Sequence, residues 1–216
     1  MYDNKKSYTY IFHMPGIEAW FWRMLDQISH LSINLVLDIG VGLGFWGFMI
    51  RSWAGMRELE EPSLVGIDVN KVRLATAKSL RIYDELIVAD AYCPPLRPGS
   101  FDLIVAVEVF DSRRLTYAVQ QLDKLASKES TIFLSIPFRA GYEDDLVSNG
   151  YRVYSIFLRG LLLVDTITGR VIPYHKSTFS KITSIVLAVA WRLFRRKSIR
   201  YVIAFKGPES KNLNSY

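Results

Sequence analysis

Four carboxylates stand at or near the ends of apolar runs in the first half of the chain. They are Asp38 in VLDIGVGLG (Val36–Gly44), Asp68 in LVGID (Leu64–Asp68), Asp90 in LIVADAY (Leu86–Tyr92) and Glu108 in SFDLIVAVEVF (Ser100–Phe110). An ionised carboxylate only accepts hydrogen bonds, so a row of them suits a partner rich in hydroxyl, amino or cationic groups. Asp38 can accept from nearby backbone amides or from a cationic group. Asp68 is placed to accept from both hydroxyls of a ribose, and Asp90 from an exocyclic amine such as that of adenine. Gly40, Gly42 and Gly44 follow the first run directly. Glycine permits positive φ and lets a ligand approach without a Cβ in the way. A helix begins just after them, so its free amides can face a negatively charged group.

These residues need a scaffold that brings strand ends to one edge. Short apolar runs alternate with longer mixed segments, the pattern of βα units around a largely parallel sheet. The spacing predicts a helix over residues 15–29, carried by Ile17, Trp20, Phe21, Met24, Leu25 and Ile28. It then predicts strands at 34–39, 64–67, 86–89, 101–107 and 131–136, with helices at 45–53, 71–81 and 115–126. Beyond these, 151–158 and 161–166 are strand-like with Gly160 between them. Gly169 and Pro173 mark turns, 181–196 reads as a helix and 201–206 as a last strand returning to the same sheet. The expected architecture is a single doubly wound α/β domain over 1–216. Within it, 1–33 form an N-terminal helical lid, 34–140 the ligand-binding core, and 141–216 the remaining strands and the elements on the other substrate's side.

Composition sets the outer limits. The 216 residues are 50% hydrophobic and 22% charged, an ordinary globular balance. Cys93 is the only cysteine, so no internal disulfide forms. The opening MYDNKKSYTYIF lacks the apolar core of a signal peptide, and a cytoplasmic location is the expectation. The net charge is +6. Arg192, Arg195, Arg196, Lys197, Arg200 and Lys206 crowd near the C-terminus, while Glu58, Glu60 and Glu61 form an acidic loop. Basic charge favours anionic partners, but a solvated basic face is the simpler reading.

The ordered motifs resemble class I S-adenosylmethionine (SAM) dependent methyltransferases, in particular the small-molecule type with an LDIGxGxG loop. The resemblance covers roughly residues 34–140, with a final strand near Lys206. It implies a Rossmann-like sheet of seven mostly parallel strands with the last one antiparallel, and SAM as cofactor. By this resemblance Gly40, Gly42 and Gly44 lie against the methionine part of SAM, and Asp38 helps hold that loop and the amino group. Asp68 matches the ribose-binding acid, with Val69 beside the adenine. Asp90 and Ala91 match the pair at adenine N6 and N1, and Val107 and Glu108 match the segment under the methionine portion. No metal site is implied.

The sequence departs from the family after Glu108. Many members carry a histidine there, whereas this chain reads EVFDSRR, so no base carries over. His13 and His175 are the candidates elsewhere, each in a segment that falls on the acceptor side. No NPPY-like tetrapeptide follows the fourth strand, which argues against amino methylation of bases. The expected activity is methyl transfer to oxygen or nitrogen of a small or lipophilic acceptor. RNA or protein acceptors, and a non-catalytic SAM-binding protein, are the alternatives. An NAD-dependent oxidoreductase is a further one, because Gly42, Gly44 and Gly47 also spell GxGxxG ahead of Asp68. The apolar stretch Ile182–Phe194 falls short of the ~20 residues needed to span a bilayer. With its basic flank, Lys181–Lys197 fits either a helix covering the acceptor pocket or a peripheral membrane contact.

Overall fold

A computed structural model describes residues 15–137, 142–157 and 199–207. Helix α1 (Pro15–Ile28) leads into strand β1 (Leu35–Ile39), α2 (Phe45–Met56), β2 (Ser63–Asp68), α3 (Lys71–Ser79), β3 (Glu85–Val88) and β4 (Phe101–Ala106). A short 3-10 turn at Ser112–Arg114 precedes α4 (Leu115–Leu125), β5 (Ala126–Pro137), α5 (Tyr142–Ser148), β6 (Arg152–Phe157) and β7 (Ile199–Phe205). The strands form one seven-stranded sheet in the order β3-β2-β1-β4-β5-β7-β6. β1 to β5 pair in parallel, and β7 runs antiparallel to both β5 and β6. The expected single antiparallel strand at the end of the chain is therefore present.

The central strands are apolar on both faces because helices cover both. Leu37, Ile39, Ile104, Ala106, Ile132, Leu134, Val202 and Ala204 face one core, which α4 closes with Leu115, Ala118, Val119 and Leu122. Their neighbours Val36, Leu103, Val105, Phe133, Ile203 and Phe205 face the other, covered by α1 and α2. In that second core Phe21, Trp46 and Phe133 meet edge to face or tilted, with centroids 4.7–5.4 Å apart. Asp26 fastens α1 to α2 by accepting from Trp53 Nε1 at 2.9 Å and Arg57 Nη2 at 2.7 Å.

Two details differ from the sequence expectation. β5 starts at Ala126, where the expected helix was still running, because its first half is the polar Ser127–Ser130. That half is held by a side-chain bond, Ser127 Oγ to Asp102 Oδ1 at 3.1 Å; Asp102 Oδ2 also accepts the amides of Asn34 and Leu35. Helix α5 was not expected. It is one acidic stretch of seven residues that buries Leu146 and stops at Gly150, whose φ is +84. The expected strand at 161–166 and helix at 181–196 lie outside the described residues, as do His13, His175 and the basic run Arg192–Lys197. Among the described residues no helix is long and apolar enough to cross a membrane.

Candidate functional site

The strand register brings the acidic motifs to one edge. Asp38 lies beside Gly66 of β2 and Val105 of β4, and Asp68 lies beside Val88 of β3. Residues 40–44, 68–70, 89–92 and 107–111 then leave the sheet on the same side. The glycine loop is anchored to β2 by the amides of Gly40 and Val41, which both donate to the Ile67 carbonyl at 2.8 and 3.1 Å.

Each loop glycine has positive φ, at +76, +55 and +88 for Gly40, Gly42 and Gly44. Their surroundings separate their roles. A Cβ on Gly40 would collide with Val109 of the segment after β4, so this glycine serves close packing. A Cβ on Gly42 would meet nothing nearer than the Gly40 carbonyl at 3.8 Å, so the space above it is open. Gly44 is the N-cap of α2 and brings no capping side chain, and the first turn of α2 holds no acid. That helix end therefore offers amides to an anion.

Asp68 is buried, and backbone amides engage both its oxygens. Oδ2 accepts from Gly42 at 2.9 Å and Oδ1 from Asn70 at 2.8 Å. The α3 cap is Asn70, whose Oδ1 accepts from Val72 and Arg73. Asp68 thus shapes the glycine loop directly, and each of its oxygens keeps acceptor capacity for a hydroxyl. Val69 beside it is exposed despite being apolar, as a residue facing an aromatic ligand ring would be.

Asp38 is fully buried. Tyr83 Oη donates to its Oδ2 at 2.5 Å, while Oδ1 is buried with no hydrogen-bond partner. Burial pushes this carboxyl up to about 7, against the lowering effect of the Tyr83 hydroxyl; the Asp68 charge raises it further and the Gly47 amide lowers it. The same surroundings push the Tyr83 hydroxyl well above its usual range. Asp38 does not cap α2, whose N-cap is Gly44.

At the next strand end Asp90 is exposed; its Oδ1 accepts from the Tyr92 amide at 2.9 Å, and its carbonyl accepts from Cys93. Ala91 packs partly buried against the core. Val107 packs against the opposite core cluster. Glu108 follows it with φ +57, and its amide donates to Ser135 Oγ of β5 at 2.6 Å. A non-glycine residue in that conformation is strained, and such strain concentrates at functional sites. In place of the family histidine, the segment after Glu108 carries a cluster. The Asp111 amide donates to Tyr92 Oη at 2.8 Å, Arg114 stacks 3.9 Å from the Tyr92 ring centroid, and Arg113 pairs with Asp111 at 2.8 Å.

Sequence reasoning missed Tyr83, Tyr92, Val109 and Ser135. It also assigned Gly47 only as the last glycine of a dinucleotide-type fingerprint. A Cβ on Gly47 would lie 2.5 Å from the Tyr83 ring carbon bearing the hydroxyl, so this glycine makes room for Tyr83. The GxGxxG spacing here arises from a side chain, with no dinucleotide required.

Residues 37–134 match the family model described as a methyltransferase domain. No curated protein matches the sequence. The fold is similar to a SAM-dependent methyltransferase of Archaeoglobus fulgidus, at 16% identity over 88% of this chain and 94% of that one, with a TM-score of 0.52. It is similar to the plantazolicin methyltransferase BpumL, solved with a pentazolic analogue and S-adenosylhomocysteine, at 14% identity over 95% and 91% of the two chains and a TM-score of 0.54. It is equally similar to the [4+2]-cyclase SpnF, at 14% identity over 87% and 82%, also with a TM-score of 0.54. The domain match covers 98 of the 216 residues, and the sheet around it has the seven strands and antiparallel last strand that the resemblance implies. The residues present fit SAM. Asp38 Oδ1 is an orphaned acceptor suited to an ammonium, the start of α2, with no capping side chain, suits a carboxylate, and the glycine loop leaves open space at Gly42.

Proposed function

We propose that the protein transfers a methyl group from SAM to an oxygen or nitrogen of a small or lipophilic acceptor. One observation carries the SAM half of this reading: Asp68, the expected ribose acid, also accepts from the amide of Gly42 in the open part of the glycine loop. A single carboxylate thereby couples the nucleoside end of the site to the amino-acid end. Asp68 and Asp90 would hold the ribose and adenine, Asp38 and the start of α2 the amino-acid portion, with Val69 and Ala91 beside the base. SAM, when bound, supplies an electrophilic methyl on a sulfonium. The residues of this chain then have to align the acceptor atom with it and exclude water, work done by proximity and desolvation.

Topology supports the placement of the acceptor. β5, β6 and β7 pair so that Pro137 neighbours Ile199, and Phe157 neighbours Arg200. β5 and β6 therefore end, and β7 begins, at the same sheet edge as the glycine loop; the sequence stretches 138–141 and 158–198 follow those two ends. His175 belongs to the second of these stretches, and Phe138 to the first. With His13 and Tyr10 of the N-terminal segment they are our candidates for acceptor contacts. The plantazolicin methyltransferase was solved with a pentazolic desmethyl analogue on the same fold, which supports the small-molecule acceptor reading.

Calorimetry with SAM, S-adenosylhomocysteine and NAD in parallel tests the cofactor, with micromolar or tighter binding expected for the first two. Binding of NAD alone would overturn the assignment. Methyl-labelled SAM incubated with cell extract separated into small-molecule, lipid, RNA and protein pools tests the acceptor. Label is expected in the small-molecule or lipid pool. Label confined to RNA or protein would sink the acceptor proposal, and SAM binding with no label in any pool would point to a non-catalytic binding protein.

A further inference from the structure

Tyr83 sits between α3 and β3, far in sequence from the glycine loop, yet it is built into that loop's foundation. Three glycines make its slot. A Cβ on Gly47 would lie 2.5 Å from the Tyr83 hydroxyl oxygen, one on Gly66 3.0 Å from its ring, and one on Gly44 3.3 Å from it. Two of these belong to the start of α2 and one to β2, so the ring is wedged where helix and sheet meet. The slot is held shut from outside by Arg51 of α2. Its Nε donates to the Ile82 carbonyl at 3.0 Å and its Nη2 to Asp84 Oδ2 at 2.7 Å, gripping the residues on either side of Tyr83. Asp84 Oδ2 also accepts the Leu64 amide at 2.7 Å, which ties the same turn to β2.

The hydroxyl end of this wedge reaches Asp38. Oδ2 of Asp38 is taken by Tyr83, and Oδ1 makes no hydrogen bond although it is fully buried. A buried acceptor without a partner keeps its desolvation penalty, so the arrangement is incomplete as it stands. The hydroxyl bond to Oδ2 leaves Oδ1 as the oxygen without a partner.

We infer that Tyr83 is a positioning residue for amino-acid recognition: it orients Asp38 beneath the glycine loop so that the unpartnered Oδ1 serves the α-ammonium of the bound cofactor. This rests on the SAM reading above. It assigns the recognition of the charged amino acid to a pair of residues, one of them outside the matched strand-end motifs. The nucleoside part of the site, around Asp68 and Asp90, does not depend on Tyr83.

The test compares two ligands that differ only in the amino-acid arm. S-adenosylhomocysteine carries the ammonium, and 5′-methylthioadenosine shares the nucleoside and the thioether but lacks the ammonium. Calorimetry on Tyr83→Phe is expected to show about tenfold weaker binding of the first and less than a twofold change for the second. Asp38→Asn is expected to show the same selective loss, and adding Tyr83→Phe to it should cost little more, because both act through one contact. A thermal melt records folding of each variant. Should Tyr83→Phe not hold its fold, replacing Tyr83 with 3-fluorotyrosine keeps the ring and strengthens the donor. The ratio of the two affinities then moves severalfold in favour of S-adenosylhomocysteine. Equal losses for both ligands, additive losses in the double variant, or an unchanged ratio with fluorotyrosine would overturn the role of Tyr83. Failure of the unaltered protein to bind either ligand would instead overturn the SAM reading itself.

Discussion

The Tyr92 hydroxyl accepts the backbone amide of Asp111 at 2.8 Å, and this bond joins the turn after β3 to the turn after β4. The two turns carry different halves of the proposed site, Asp90–Ala91, assigned above to adenine, and the segment next to Glu108. The Tyr92 ring adds an edge contact to Phe110 at 5.4 Å and a stacked Arg114. Tyr92→Phe should cost about 1 kcal/mol, the value of one ordinary hydrogen bond. Tyr92→Ala should cost roughly 2 kcal/mol or more, since the aromatic and cation–π contacts go too. Urea denaturation separates the two, and equal stabilities would show that the rings contribute nothing.

Asp68 serves two masters, and its variants should reveal both. Asp68→Ala removes the acceptor for the Gly42 and Asn70 amides and for the ribose hydroxyls, each charged bond worth roughly 1.5–3 kcal/mol at most. S-adenosylhomocysteine binding should fall at least a hundredfold and the melting temperature should fall with it. Wild-type affinity in a folded Asp68→Ala protein would disprove the ribose assignment.

Gly40 and Gly42 should respond oppositely to the same small change. Both have positive φ, which costs an alanine roughly 1–2 kcal/mol. Gly40→Ala also drives a methyl into Val109, so its main effect is lost stability. Gly42→Ala meets open space, so the protein should fold with a modest loss and bind the cofactor poorly. Melting curves and calorimetry on the pair test this; a large loss of stability in Gly42→Ala with unchanged binding would show the open space is not the ligand's.

Asp38 gives the apo protein a pH dependence with a definite sign. Its carboxyl moves from 3.8 unfolded to about 7 folded, so between these values the folded state holds a proton that the unfolded state has lost. The associated stability is fully present below about pH 4 and is lost as pH rises through 7, up to about 4 kcal/mol at 1.36 kcal/mol per unit. A cation beside the carboxylate reverses the preference. Affinity for S-adenosylhomocysteine should therefore increase as pH rises from 6 to 8, with proton release on binding. The facing groups are Tyr83, the Asp68 carboxylate and the Gly47 amide. Asp38→Asn should flatten both profiles, and a pH-independent affinity in the unaltered protein would sink the argument.

Much of the site was legible because each of its acids follows a run of buried apolar residues, a signal contained in a few consecutive letters. Asp38, Asp68, Asp90 and Glu108 all emerge at the same sheet edge for that reason. Tyr83 was illegible because its contact with Asp38 spans 45 positions and depends on three glycines from two other elements. Gly47 was readable only as a motif letter until the ring it accommodates was in view. The first half of β5 was hidden by its polar residues, and α5 by its shortness and its single buried Leu146. Chain topology was legible in outline from the alternation of runs. The place of β7 between β5 and β6 was not, since nothing local to Ile199–Phe205 encodes its neighbours.

The pairing of Phe157 with Arg200 means that the chain leaves β6 and re-enters β7 at adjacent points. Two antiparallel strands whose ends are already neighbours can be joined by a tight hairpin turn, and closing a long loop between them costs only a little more entropy than closing a short one. The end of β6 and the start of β7 thus form a natural splice junction for the stretch 158–198. An exchange of that stretch between related proteins would preserve the paired strands on either side. A hybrid carrying a foreign stretch should keep its affinity for S-adenosylhomocysteine while its choice of acceptor follows the donor of the insert.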